Sequence, residues 1–261
     1  VVLENRRAPL CQVPTIVFGS MPNDGGHLLL SPREREDMLA REPACARWLR
    51  RIYGSDEFIN NGERWCLWLV DCPPNELRAM PAVLERVEAV RQYRLGSTRA
   101  TTRELAATPT LFGEIRQPAD GIYLLIPSVS SERCFYVPIG FMHAGDISTN
   151  LNLVIPHATF YHFGVLQSIQ HMAWVRAVSG RLESRYRYSA GIVYNNFPWP
   201  EPTDKQQATI EAAAQAVLDV RAQFPGATLA DLYDPLAMPP ALLRAHQALD
   251  RAVGAAYGRK S

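Results

Sequence analysis

The sequence predicts a mixed α/β (α+β) domain over residues 1 to about 200, followed by a small α-helical hairpin over 201–261. Three observations predict it. Short runs rich in β-branched and aromatic residues, each bounded by turn residues, recur between Arg64 and Asn196. Segments with apolar residues at helical spacing lie among them, so strands and helices belong to one layered domain. After Pro198, Pro200 and Pro202 the composition turns alanine-rich and the strand signals stop.

Taken in order, MPNDGGHLLL (21–30) places Pro22, Asn23, Asp24, Gly25 and Gly26 in a tight turn before an apolar run. SPREREDMLAREPACARWLRRIYG (31–54) reads as two helices, because Ser31-Pro32 is a good start and Pro43 interrupts. RWCLWLVD (64–71) has the length and aromatic content of a buried strand, closed by Pro73-Pro74. From Pro81 to Leu95, Val83, Leu84, Val87 and Val90 mark one face of a helix whose other face carries Arg86, Arg91 and Arg94. Three strand-like runs follow: IYLLIP (122–127), CFYVPIGF (134–141) and LNLVIP (151–156). A long, mostly apolar helix is expected from Phe163 to Val178, and RYRYSAGIVYNNF (185–197) ends in a strand. Residues 203–224 read as a helix and a second runs from about Pro240 to Tyr257, with Gly226 and the Tyr233-Asp234-Pro235 turn between them.

A formal net charge of +1, 47% hydrophobic and 20% charged residues describe an ordinary globular chain, with no global field that announces nucleic acid or membrane. No run approaches the roughly 18 apolar residues of a membrane span. The five cysteines (Cys11, Cys45, Cys66, Cys72, Cys134) form no CxxC pair and no zinc spacing, which predicts thiols in a reducing cytoplasm. Among the 27 lysines and arginines only Lys205 and Lys260 are lysine. A GC-rich genome accounts for that bias, and so does selection for planar donors that suit phosphate and guanine. The chain begins VVLENRR, without methionine, and reads as a piece of a longer polypeptide.

Catalytic signatures are missing. The sequence has no G-x-S-x-G elbow, no H-E-x-x-H and no Walker loop, and no glycine-rich loop opens a helix after a first strand. Asn195-Asn196-Phe197-Pro198 has the composition of the Asn-Pro-Pro-aromatic loop of adenine methyltransferases, but the ring precedes the proline, so a structural linker is expected. His157, His162 and His171 share no metal-binding spacing and read as packing histidines. A Ser168, His171, Asp146 trio carries no signal. No catalytic and no metal-binding residue is therefore assigned. What remains is arginine interleaved with hydroxyls, over residues 86–116, in SVSSER (128–133) and in GRLESRYRYS (180–189). Such a pattern suits phosphate gripping and equally suits a solvated face.

Several longer blocks carry a resemblance: MPNDGGHLL, ERWCLWL, IPSVSSER with YVPIGF, and FGVLQSIQHMAWVRAVSGRLESRYRYSAGIVYNNFPWP. In this order they resemble the target recognition domain of the MmeI-like restriction-modification enzymes. LYDPLAMPPALLRAHQALDRAVGAAYG is similar to the helical C-terminal segment of the same family, although the chain stops at Gly258-Arg259-Lys260-Ser261, where a further stretch is expected. The resemblance implies a non-catalytic reader of double-stranded DNA with no cofactor of its own. Its parent would join it to nuclease and adenine-N6 methyltransferase domains, using S-adenosylmethionine and, for cleavage, Mg. Base reading is expected from Arg116, Gln117, Ser130, Arg133, Asp146, Ser148 and Asn150, the last five lying in SVSSER and HAGDISTN (143–150). Arginine suits guanine, Gln117 or Asn150 suits adenine, and Asp146 can accept from cytosine. Arg91, Arg94, Arg99, Arg185 and Arg187 are expected on phosphates. Two alternatives stand beside these: SVSSER is structural with Arg133 in an ion pair, or the whole fragment is a scaffold that docks the methyltransferase domain.

Overall fold

The computed structural model describes residues 3–258, so the expected cut ends of the chain lie outside the described residues. Its strands are β1 (Val17–Phe18), β2 (Leu29–Leu30), β3 (Leu49–Tyr53), β4 (Trp65–Leu67), β5 (Ile122–Pro127), β6 (Val129–Ser130), β7 (Gly140–His143), β8 (Ile147–Ser148), β9 (Asn152–Pro156), β10 (Gly180–Leu182) and β11 (Arg185–Arg187). Its helices are α1 (Pro32–Arg41), α2 (Ser55–Ile59), α3 (Pro74–Arg78), α4 (Pro81–Leu95), α5 (Ala100–Glu104), α6 (Phe160–Leu166), α7 (Ile169–Val178), α8 (Asp204–Ala222), α9 (Leu229–Tyr233) and α10 (Pro240–Ala256).

The strands form three sheets. The first, ordered β1-β9-β5-β7, is antiparallel and centred on β5, where Leu124 faces Phe141 on one side and Ile155 on the other. Alternate residues of β5 serve opposite faces. Leu124 and Ile126 enter a large core with α6, α7, α8 and α10, while Tyr123 and Leu125 pack with Phe58. Covered on both faces, IYLLIP has no polar alternation to show. The second sheet, β2-β4-β3-β8, packs with α1 and α4 around Leu28, Ile52, Leu67, Val83, Val87, Val90 and Ile147. The third, β10-β11-β6, is a small ribbon. β8 joins the first two sheets, since the chain leaves β7 and runs parallel to β3 with Ile147 opposite Ile52.

The large core crosses residue 200 without a break. Ile210, Ala214, Leu242 and Leu249 of the tail belong to the same cluster as Leu124, Ile155 and Phe163. Gly164 lets α6 and α8 approach: a Cβ there would lie 2.8 Å from Ile210 Cγ2. Among the described residues no helix is long and apolar enough to cross a membrane.

Four expectations need correction. The residues after Pro43 form a 3-10 helix (Pro43–Trp48) and then β3, because Leu49–Arg51 find ladder partners on β4. In CFYVPIGF only Gly140 and Phe141 are strand; Pro138 has no N–H to give a ladder. The long apolar helix is two, because Ser168 caps a new start by accepting from the His171 amide. YNNF is no strand: Ala190–Tyr194 is one π-helical turn. Its asparagines strap the amino end of the chain, Asn195 donating to Arg6 O and Asn196 to Glu4 O (2.8 and 2.9 Å), while Phe197 and Trp199 are core residues.

Arg94 corrects a functional expectation as well. It is fully buried at the end of α4, and its three nitrogens donate to the carbonyls of Pro22, Asn23, Leu105, Thr108 and Leu111 at 2.7–3.2 Å. No donor is left for a phosphate. The guanidinium pins the Pro22–Gly26 turn and the loop after α5 onto one helix. Arg94→Lys offers three donors to five acceptors, and Arg94→Met offers none. We predict that Arg94→Met costs at least about 3 kcal/mol and Arg94→Lys somewhat less, read from denaturant midpoints.

His171 is a packing histidine, as expected. Its Nε2 meets the Tyr188 hydroxyl at 3.0 Å, and burial pulls its pKa from 6.5 to about 3; burial also holds His246 well below its usual value. Both stay neutral in the fold but take up protons once unfolded. The contribution of His171 is therefore fully present above pH 6.5 and is lost as the pH falls from 6.5 toward 3, and His246 adds a loss in the same direction. We predict that the unfolding free energy from urea titrations falls as the pH drops below 6.5, at up to about 1.4 kcal/mol per pH unit for each histidine.

Candidate nucleic-acid interface

GRLESRYRYS folds as a ribbon. β10 and β11 pair antiparallel with Gly180 opposite Arg187, Arg181 opposite Tyr186 and Leu182 opposite Arg185. Glu183 takes the left-handed conformation (φ 57°) in the two-residue turn. Opposed residues in such a pair point to the same side. Leu182, Arg185 and Arg187 thus share one face, and all three are exposed. Arg181 and Tyr186 share the other, where Tyr186 is buried and the Arg181 guanidinium lies 3.9 Å above its ring. The sequence signal for this arrangement was the alternation of Arg185 and Arg187 with Tyr186 and Tyr188; Leu182 and Glu183 were not singled out from it.

The ribbon is held at its base. β11 pairs with β6, Tyr186 opposite Ser130 and Arg187 opposite Val129, and the Tyr188 amide donates to Ser128 O at 2.8 Å. Arg185 forms an ion pair with Glu183 at 3.0 Å, while Arg187 carries no ion pair among the described residues. Only the tip around Leu182–Arg185 runs as two strands beyond β6, and a two-stranded tip is narrow enough for the major groove of duplex DNA.

The expected base-reading residues separate into two groups. Gln117 is consumed by the fold: its Nε2 donates to Ala144 O and Asp146 O, and its Oε1 accepts from the Ser148 amide at 3.0 Å. Ser148 is fully buried between the two large sheets, and Ser130 is buried in β6. Gln117 and Ser148 have no side-chain atom to offer a base, because they close an internal seam, and Ser130 is covered where β6 supports the ribbon. Asn152 completes that seam by donating to Tyr53 O at 2.9 Å. Asp146 and Asn150 keep half-exposed side chains. Arg116 is exposed but ion-paired with Glu114, and its amide is held by Ser20 Oγ. Arg133 pairs with Asp234 at 3.8 Å, as the structural alternative for SVSSER anticipates. In the same turn Ser131 Oγ accepts from the Arg133 amide. On α4 and just after it Arg91 and Arg99 are exposed, Arg91 lying 3.8 Å from Glu88. The seven base-reading and five phosphate positions are thus not gathered at one place.

The Gly25-Gly26 turn leads into β2 and not into a helix whose amides could meet a ligand, and among the described residues no group of His, Cys, Asp and Glu is arranged to hold an ion.

Comparisons with known proteins place this architecture. The family model described as "MmeI, target recognition domain" matches residues 1–201, and "MmeI, C-terminal domain" matches residues 202–261. A protein named "DNA methyltransferase A" from Bacillus subtilis (strain 168) is 41% identical over 260 residues, which is 100% of this chain and 29% of that protein. A solved structure described as "Type IIL restriction-modification enzyme MmeI in complex with DNA" superposes with a TM-score of 0.96 at 46% identity, over 100% of this chain and 35% of the other. The chain thus spans about a third of the length of the relatives it matches. It belongs to the MmeI target recognition domain family and carries that family's C-terminal domain behind it.

Proposed function

We propose that this chain reads the sequence of double-stranded DNA on behalf of catalytic domains elsewhere in its parent polypeptide. One observation carries the reading: a surface ribbon presents Arg185 and Arg187 side by side on a face that the fold does not need. The family description and the DNA-bound relative support it. The ribbon enters the major groove with that face toward the bases and phosphates. Arg91 and Arg99, on and just after α4, are exposed for a second phosphate contact, and Asp146, Asn150, Arg116 and Arg133 keep side chains at the surface. Methyl transfer from S-adenosylmethionine to adenine N6, and Mg-dependent cleavage if the parent retains it, belong to the other domains. The reading places the protein in the cytoplasm, where its substrate is.

One observation favours a docking role in addition. Ala173, Trp174, Ala177, Phe197, Pro198 and Tyr257 line a shallow, mostly apolar groove beside the strapped amino end of the chain. A neighbouring domain would seat there, on the exposed side of α7.

Two experiments test the reading. In anisotropy titrations of a labelled random-sequence duplex at two salt concentrations, the isolated chain should bind weakly and salt-dependently. The Arg185→Gln/Arg187→Gln double variant should lower the log–log salt slope by about 2, near 0.9 for each phosphate that is no longer neutralised. Affinity indifferent to salt counts against the proposal. In a full-length relative, replacing the ribbon Gly180–Arg187 with that of a homologue should move the methylated site; unchanged specificity with lost activity would favour docking alone. Exchanging His143–Asn150 is a poor test, because Ile147–Thr149 are buried.

A further inference from the structure

The stretch between the ribbon's support and β7 has almost no ladder of its own, yet it is firmly held. Arg133 pairs with Asp234 at 3.8 Å. The Tyr136 hydroxyl donates to Asp250 Oδ2 at 2.7 Å, and its ring stacks on His246 with centroids 3.9 Å apart. The Val137 carbonyl accepts from Gln167 Nε2, and Gln167 Oε1 in turn accepts from Arg221 Nη2, both at 2.8 Å. The Ile139 carbonyl accepts from Arg221 Nη1 at 2.8 Å. Arg221 also donates through Nε to the Tyr233 hydroxyl at 2.7 Å, and that hydroxyl meets His246 Nε2 at 2.8 Å. Asp234, Asp250, Arg221, Tyr233 and His246 all lie in the C-terminal domain.

A backbone stretch whose carbonyls are satisfied from outside goes where its donors put it. Residues 133–139 follow β6 after two residues, and β6 is the strand from which the ribbon hangs. Arg221 is the member best suited to fix it. Its rigid fork reaches Ile139, Gln167 and Tyr233 at once, which a lysine cannot do.

We propose that Arg221 is a positioning residue for recognition: through it the C-terminal helices splint residues 133–139 and so set the pose of the β6–β11–β10 ribbon. This inference rests on the reading that the ribbon meets DNA. It assigns the C-terminal domain a part in recognition that is exerted through the ribbon's support.

The test uses the whole chain, a labelled random-sequence duplex, and three variants: Arg221→Lys, Tyr136→Phe and the ribbon double variant Arg185→Gln/Arg187→Gln. Thermal melts confirm that each is folded at the assay temperature, and hydrogen exchange follows amides 129–139 and 180–188. The expected result for Arg221→Lys is about threefold to thirtyfold weaker binding with faster exchange in both segments. Tyr136→Phe, which removes only the bond to Asp250, should do the same to a smaller degree, and it decides the matter if Arg221→Lys does not fold. Wild-type affinity in folded variants, with the ribbon double variant still weakened, overturns the splint and leaves the DNA reading standing. Wild-type affinity in the ribbon double variant overturns the DNA reading and the splint with it.

Discussion

Carbonyls that the short strands leave unpaired are met by side-chain donors. The strands are two to six residues long, and between them the backbone repeatedly passes through the interior. A buried acceptor without a donor costs about 1–3 kcal/mol, so each must be met. Arg94 meets five, Gln117 two and Arg221 one, while Asn152 and Asn196 close others. Long polar side chains therefore do the structural task that ladder hydrogen bonds perform in a regular sheet. This explains how two lobes with separate apolar cores keep one fixed relation, the seam at Ser148 and Asn152 being sewn from both sides.

The same constraint decided what could be read from the sequence. Where hydrophobic periodicity and terminal signals coincide, elements are legible almost to the residue: α4, β5, α8 and α10 fall where Pro81, the IYLLIP run, Thr203 and Pro240 put them. Tertiary donors left no such pattern. Nothing in CFYVPIGF says that Arg221 and Gln167, far along the chain, will replace its ladder. Equally, FGVLQSIQHMAW is apolar enough for one helix until Ser168 captures the His171 amide.

For the candidate interface, arginine count does not separate buried from exposed guanidinium groups, whereas arginine placement does. Arg94 and Arg187 have identical chemistry, yet one ends a helix above a ring of carbonyls and the other ends a strand facing water. Composition cannot separate them. The alternation of arginine with tyrosine in RYRY can, because in a strand it sends one residue type inward and the other out. Gln117 misled for a related reason: an amide able to pair with adenine is equally able to pair with three backbone groups of its own chain, and the loop it closes supplies them.

The undivided large core has a practical corollary. A polypeptide ended at residue 201 would keep the sheet and α6 but bare the floor on which Ile210, Ala214 and Leu249 rest, with Gly164 at its centre. That floor is broad and oily. Such a truncate would clump or be digested long before its exposed ribbon arginines met any partner.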